Sequence, residues 1–84
     1  MDFLGAAKAV VNLSQRPSNE ILLQLYALYK QGAEGDVQGN RPGMLDLKGR
    51  AKFDAWKKLV GMSQHEAQRR YIELVESLLR QNPR

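Results

Sequence analysis

Apolar side chains recur every three or four residues in four separate stretches of the chain, and this spacing constrains the fold more than any other feature. Positions three and four apart share one face of a helix, so each stretch predicts an amphipathic helix. The apolar positions of these stretches begin at Phe3, Ile21, Phe53 and Ala67. Because no stretch shows the alternating pattern of a strand, we expect an all-α fold of four helices packed as a bundle.

Turn and capping residues indicate where the first two helices meet. The apolar face of the first helix runs from Phe3 to Leu13, and Pro17 disfavours helical geometry in the residue before it. Either Ser18 or Asn19 can cap the start of the second helix, because both have a short side chain that accepts a hydrogen bond. We therefore expect one helix on each side of Pro17.

A long connection follows the second helix, which we expect to reach about Ala33. Gly32 and Gly35 lie at its expected end and suit a C-terminal cap. The connection from about Gly35 to Lys48 is longer than most loops in small domains, and such loops are usually functional or disordered. Apolar residues within it predict that it is ordered and packed over the helices. These residues are Met44, Leu45 and Leu47.

The third helix is expected over roughly Gly49 to Leu59, with Gly61 ending it. Its apolar residues are Phe53, Trp56, Leu59 and Val60. Ser63 and Glu66 then form a capping box at the start of the fourth helix. In that motif the Ser63 hydroxyl accepts from the backbone N–H of Glu66, and the Glu66 carboxylate reaches back to the backbone N–H of Ser63.

Length and composition exclude several classes of protein. A chain of 84 residues predicts a single domain, which we assign to residues 1–84. With no cysteine and only His65 as histidine, the usual nucleophile–base pairs and metal sites are missing. We therefore expect no catalytic residue, no metal and no cofactor, and an exposed His65. No apolar run approaches the roughly 20 residues of a membrane span, and the acidic Asp2 argues against a secretory signal.

The segment from Arg41 to Lys58 carries six basic and two acidic residues, an excess equal to the net charge of +4 of the whole chain. Such an excess favours anionic partners, although a solvated basic surface is an equally ordinary explanation. A small nucleic-acid-binding module is one candidate function. Against it, Asp54 and Trp56 interrupt the basic run, and the segment lacks the spacing of a helix-turn-helix motif.

Tyrosines and lysines on three helices form the other candidate site. Tyr26, Tyr29 and Lys30 lie at i, i+3 and i+4, so they share one face of the second helix. The members on the third and fourth helices are Lys48, Lys52 and Tyr71. Lysines supply point charges for phosphates, and tyrosines offer a flat ring face and a hydroxyl. Taken singly, each is more often a solvated lysine or a core tyrosine, but together they fit a ligand with phosphates, an aromatic ring and an apolar tail.

The segment from Tyr26 to Trp56 reads YALYKQGAEGDVQGNRPGMLDLKGRAKFDAW and resembles the signature of the acyl-CoA-binding protein family. The family pattern has a tyrosine–tyrosine–lysine face, a Lys-Gln-Ala/Gly-x-x-Gly-Asp run and Arg-Pro-Gly. It ends on Lys-Gly-Lys-Ala-Lys followed by an aromatic residue and Asp-Ala-Trp. The match extends outward to Phe3, Pro17 and Tyr71, and so covers nearly the whole chain.

The resemblance implies a four-helix bundle with up-down-down-up topology that binds long-chain acyl-CoA thioesters and performs no chemistry. It implies a carrier that maintains and transports an acyl-CoA pool. The adenosine and its 3′-phosphate would lie against the tyrosines and lysines, and the acyl chain would follow a groove near Leu22 and Leu23. The positions that match the ligand-contacting residues of the family are Tyr26, Tyr29, Lys30, Lys48, Lys52 and Tyr71.

A few positions depart from the family pattern. Phe53 stands where tryptophan is common and Arg50 where lysine is common, so an aromatic ring and a charge are kept. Val11 stands where some members have a basic residue that helps hold the ligand, so one phosphate contact is expected to be missing. We also expect a cytoplasmic monomer that binds fatty acyl-CoA and no nucleic acid, with transient contact to membranes or to enzymes that use acyl-CoA.

Overall fold

The computed structural model describes residues 1–81, and these contain four helices and no strand. The helices are α1 (Phe3–Val10), α2 (Asn19–Glu34), α3 (Leu47–Lys57) and α4 (Gln64–Gln81). The number and order of the helices agree with the periodicity of the apolar residues. None of these helices has the length and hydropathy that crossing a bilayer would require.

A side-chain oxygen caps the first turn of every helix. In each case it accepts a hydrogen bond from the backbone N–H three residues later, at distances of 2.7 to 3.2 Å. The capping residues are Asp2, Ser18, Asp46 and Ser63. The predicted hydrogen bond from the backbone N–H of Ser63 to the Glu66 carboxylate is wrong. That carboxylate accepts from the guanidinium groups of Arg69 and Arg70 instead.

Two helix ends differ from the sequence-based boundaries. Helix α1 ends at Val10, so Leu13 lies beyond the helix, although it still packs against the core. Helix α3 begins at Leu47 because Asp46 caps it, and it ends at Lys57. Val60 therefore lies in a turn after the helix and is 55% exposed, which contradicts its expected place on the apolar stripe.

The core forms where α2 and α4 cross, with α3 packed on α2 and α1 packed on α4. Its buried members are Ala6, Leu25, Tyr71, Val75 and Leu78. Gly32 is buried inside α2 and is not the cap that its position suggested. A Cβ atom there would lie 2.9 Å from Cγ of Gln68 and 3.1 Å from Cζ of Phe3. The absent side chain thus lets α2 approach both α4 and α1.

An ion pair fastens the connection between α2 and α3 to α3. The guanidinium of Arg41 donates to both carboxylate oxygens of Asp54 on α3, at 2.9 and 2.7 Å. This pair lowers the pKa of Asp54 below its ordinary value. The expected packing of the apolar residues in this region is wrong, because their exposed fractions are 73% to 102%. They are Met44, Leu45 and Leu47.

Gly35 ends α2 with φ at 83° and ψ at −152°, a region of backbone geometry that only glycine occupies without strain. We expect Gly35→Ala to lower the free energy of unfolding by about 1 to 3 kcal/mol, because a Cβ atom would strain this turn. Urea denaturation followed by circular dichroism measures the change. Gly43→Ala is the matched control, since Gly43 lacks positive φ and its Cβ would meet open space. A similar loss in both variants would contradict the assignment.

Candidate functional site

Three aromatic rings join α1, α2 and α4 on one side of the bundle. The ring of Phe3 stacks on Tyr29 at a centroid distance of 5.3 Å and meets Tyr71 edge-on at 5.3 Å. Tyr29 and Tyr71 lie 5.8 Å apart, in a tilted arrangement. Tyr71 is only 4% exposed, and this burial raises its pKa, so its hydroxyl stays protonated. Such interlocked rings set the relative position of the three helices.

A groove of about 580 Å³ opens beside this aromatic cluster, between α1 and α2. Its volume lies within the range of ordinary ligand sites, about 300 to 1,000 Å³. Tyr71 lines the groove from α4, and Tyr26 and Tyr29 line it from α2. Its remaining walls are apolar and comprise Ala7, Val10, Val11, Pro17, Leu22 and Leu25. The groove therefore combines aromatic and aliphatic surface.

Two lysine ammonium groups lie over aromatic rings near this groove. Nζ of Lys52 on α3 is 5.3 Å from the ring centroid of Tyr26. Nζ of Lys30 on α2 is 5.1 Å from the ring of Trp56 and also donates to the carboxylate of Glu34. The hydrogen bond to Glu34 raises the pKa of Lys30. Ring faces attract cations, so these contacts hold the ammonium group of Lys52 over Tyr26 and that of Lys30 over Trp56.

Lys48 is placed differently from the other five predicted residues. It lies in the first turn of α3, exposed, one helical turn before Lys52. Within residues 1–81 its side chain makes no hydrogen bond or ion pair, so only its helical register relates it to the site. His65 is exposed, as its position in the sequence indicated. The described residues hold no cluster of three or more carboxylates and histidines that could bind a metal ion.

A larger groove of about 910 Å³ lies between α2, α3 and α4 and contains none of the six predicted residues. Its lining holds three carboxylates, of Glu20, Asp54 and Glu73, and two cationic groups, of Lys58 and Arg70, so negative charge is in excess there. Leu22 and Leu23, both expected near one groove, in fact line different grooves. Neighbouring residues on a helix point about 100° apart, and this separates them. The chemistry of an anionic ligand therefore favours the smaller groove.

Gln31 was not identified as important from the sequence, yet it is completely buried. Its Nε2 donates to Oδ1 of Asp36 and to the carbonyl oxygen of Met62, both at 2.8 Å. Its Oε1 accepts from the indole N–H of Trp56 at 3.0 Å. One side chain thus links α2 to the loop that follows it, to α3 and to the turn before α4.

This Gln31 network positions the ring beneath Lys30. The indole N–H of Trp56 also donates to the carbonyl oxygen of Gly35 at 2.9 Å, so the ring is held from two sides. A signal for Gln31 was present in the sequence. It follows Leu28 by three residues, and a polar side chain on the apolar face of a helix needs buried partners. The partners themselves come from distant parts of the chain and could not be read from that spacing.

Comparisons with known proteins identify the family. A family model described as Acyl CoA binding protein matches residues 1–75. The acyl-CoA-binding protein homolog of Manduca sexta is 57% identical over 78 residues, which cover 92% of this chain and 87% of that protein. The acyl-CoA-binding protein of Saccharomyces cerevisiae is 48% identical over 77 residues, covering 92% of this chain and 88% of the yeast protein.

Solved structures agree with the sequence comparisons. The crystal structure of Oryza sativa acyl-CoA-binding protein 2 matches with a TM-score of 0.90 and 44% identity, covering 94% of this chain and 88% of the rice chain. The solution structure of the yeast protein matches with a TM-score of 0.76 and 45% identity, covering 95% of this chain and 93% of the yeast chain. The expected four-helix, up-down-down-up fold is confirmed by these matches. With its family model, its relatives and its fold in agreement, the chain belongs to the acyl-CoA-binding protein family.

Proposed function

We propose that this protein is a non-catalytic carrier of long-chain fatty acyl-CoA thioesters. It sequesters the acyl chain from water and holds the phosphates and adenine of CoA with its tyrosines and lysines. In this way it maintains and transports an acyl-CoA pool. The family membership supports the class of ligand, and the arrangement of charged and aromatic groups supports the site.

The observation that carries the proposal is a groove lined by three tyrosines, with the ammonium group of Lys52 over the ring of Tyr26 and Lys30 directly after Tyr29 in α2. Lys30 and Lys52 approach it from different helices, so a phosphate between them would meet two positive charges. Tyrosine faces beside these charges suit an adenine ring. Lys48, one turn from Lys52, supplies a further cation to the same end of the ligand. Val11 lines the groove without a charge, consistent with one phosphate contact fewer than in some family members.

The aliphatic part of the same groove supplies the site for the acyl chain. Val10, Leu22 and Leu25 present apolar surface from α1 and α2, close to the tyrosines that would hold the nucleotide. Burial of each methylene group there contributes about 0.8 kcal/mol. The larger groove is a poorer place for this ligand, because its carboxylates outnumber its cationic groups and none of the six predicted residues lines it. The lining of the smaller groove therefore offers surface to both ends of the molecule.

The remaining features fit a carrier and not an enzyme. The only histidine is exposed, the chain has no cysteine, and the groove walls have no nucleophile paired with a base. We propose that the protein acts as a cytoplasmic monomer, that it binds no nucleic acid and that it contacts membranes or acyl-CoA-using enzymes transiently. An exposed apolar patch beside Lys48 supports the membrane contact. It comprises Met44, Leu45 and Leu47.

Replacing Lys30 tests both the ligand and the site. We expect the protein to bind one palmitoyl-CoA per chain, and Lys30→Ala to weaken this binding about tenfold to a hundredfold. The reason is that a hydrogen bond to a charged group is worth about 1.5 to 3 kcal/mol, and each 1.4 kcal/mol is a factor of ten. Isothermal titration calorimetry at one fixed salt concentration measures both the affinity and the stoichiometry. Lys52→Ala should behave similarly.

Lys57→Ala is the matched control for this experiment. Lys57 lies on α3 and is exposed in its last turn, so its removal changes the net charge equally and leaves the groove untouched. We expect its affinity to stay within about twofold of the parent chain, because Lys57, unlike Lys52, does not lie over a tyrosine of the groove. Unchanged binding in both Lys30→Ala and Lys52→Ala would refute the site. An absence of any binding by the parent protein would refute the function itself.

A further inference from the structure

The ammonium group of Lys30 already has a hydrogen-bond partner within this chain. Glu34, the last residue of α2, accepts a hydrogen bond from Nζ of Lys30 one helical turn away. The Lys30 side chain is 26% exposed and that of Glu34 is 53% exposed, so both are accessible from solvent. A carboxylate therefore lies within the group of cations to which we assign the ligand phosphates.

The ring of Trp56 restricts how far Lys30 can move away from Glu34. Nζ lies 5.1 Å from the centroid of that ring, and the ring is itself held by Gln31 and Gly35. An ammonium group has three donors and no acceptor. One of them is used by Glu34, and one side of the group faces the ring. A phosphate that approaches Lys30 must therefore share the remaining donors, or displace the carboxylate.

Helix stability gives little reason for an acidic residue at this position. The carbonyl end of a helix carries partial negative charge, which disfavours a carboxylate in the last turn. Lysine preceding glutamate by four residues is also the less favourable order for such a pair. The last turn of α2 contains no basic residue that would offset this. A residue that opposes local stability beside a binding group is a candidate for a role in binding.

We propose that Glu34 competes with the ligand phosphate for Lys30 and thereby lowers the affinity of the site. This inference rests on the proposed function, since it concerns the phosphate-bearing end of an acyl-CoA. The like charges of the carboxylate and the phosphate repel each other across a single ammonium group. The competition promotes release of the ligand, as transfer to an acceptor requires. Glu34 is in this sense a residue that sets affinity without being needed for binding.

The variant Glu34→Gln tests the proposal, because it removes the charge and keeps the size of the side chain. We expect palmitoyl-CoA to bind about threefold to fivefold more tightly, the size of effect that exposed charge pairs show. Glu34→Ala should give a gain in the same direction, and circular dichroism verifies that both variants retain their helices. The gain should shrink as salt is raised towards 1 M, where the Debye length is about 3 Å.

Two further variants separate this role from a general charge effect. Glu20→Gln changes the net charge equally from the opposite end of α2, where Glu20 lines the larger groove, and should leave affinity within about 1.5-fold. In the Lys30→Ala background the gain from Glu34→Gln should fall to the level of that control, because the lysine for which both groups compete is gone.

The results of these titrations distinguish a failure of the Glu34 competition from a failure of the carrier function. If the parent chain binds palmitoyl-CoA and Glu34→Gln binds equally or more weakly, the competition is refuted and the carrier function stands. A gain that persists in full without Lys30 also refutes it, since the carboxylate would then act on the ligand directly. If the parent chain does not bind palmitoyl-CoA at all, the proposed function itself fails.

Discussion

Affinity for acyl-CoA is expected to rise about threefold to fourfold with each methylene group added to the acyl chain, until the groove is filled. Each buried methylene contributes about 0.8 kcal/mol, and 1.4 kcal/mol corresponds to a factor of ten. The apolar side chains of Val10, Leu22 and Leu25 line the same groove as the tyrosines and provide the surface for this burial. Calorimetry with a series from butyryl-CoA to palmitoyl-CoA measures the slope. A negative heat-capacity change that grows with chain length should accompany it.

Two neighbouring residues of α2 provide the control for this series. Leu22 lines the groove assigned to the ligand, whereas Leu23 lines the larger groove on another side of the helix. Leu22→Ala should therefore weaken binding of the longest esters more than Leu23→Ala does, and neither should alter binding of CoA without an acyl chain. Affinity that stays flat across the series would rule out an acyl groove. A stronger effect of Leu23→Ala would assign the chain to the larger groove.

Replacing Gln31 with leucine is expected to lower the free energy of unfolding by about 2 to 4 kcal/mol. The amide is buried and bonds to Asp36, Met62 and Trp56. Leucine has a similar volume but leaves these partners short of a hydrogen bond, and each buried unsatisfied group costs about 1 to 3 kcal/mol. For a small domain this is a large part of a total of about 5 to 15 kcal/mol. Urea denaturation monitored by the fluorescence of Trp56 measures it.

Gln24→Leu is the matched control for the loss of stability. Gln24 lies on the same helix and is exposed, so the same substitution there removes no buried hydrogen bond. Its free energy of unfolding should stay within about 0.5 kcal/mol of the parent value. If the two variants lost equal stability, the buried network would not be the cause. The Gln31 variant should also bind acyl-CoA more weakly, because the ring beneath Lys30 loses one of its two hydrogen bonds.

The helices were predictable because they depend on local chemistry. Apolar spacing, prolines and short polar caps act within a few residues of one another, and the four helices that they indicated are the four observed. The exact ends were less predictable. Helix α3 starts at Leu47 through the cap of Asp46, and it stops at Lys57, so Val60 lies in an exposed turn and not on the expected stripe. At a helix end, capping interactions compete with the helix propensity of the residues. The spacing of apolar residues does not show which of the two sets the boundary.

The candidate site shows the same division between local and distant contacts. Helical spacing places Tyr26, Tyr29 and Lys30 on one face of α2. Residue type added Lys48, Lys52 and Tyr71 to the candidates, and the family resemblance matched the same six positions. Their roles in binding stay predictions. The wrong predictions concerned packing between segments that are distant in the sequence. Met44 and Leu45 were expected to cover the helices, yet both are exposed, and an ion pair between Arg41 and Asp54 joins the connection to α3.

By itself, the sequence determined the family, the four helices and the residue types that can meet an anionic, apolar-tailed ligand. Only the tertiary structure showed that Leu22 and Leu23 face different grooves, that Gln31 is a buried link and that Glu34 occupies Lys30. The physical reason is the range of the interactions. Periodicity and capping are properties of neighbouring residues, whereas a groove, a buried amide and a cation over a ring need groups that folding brings together.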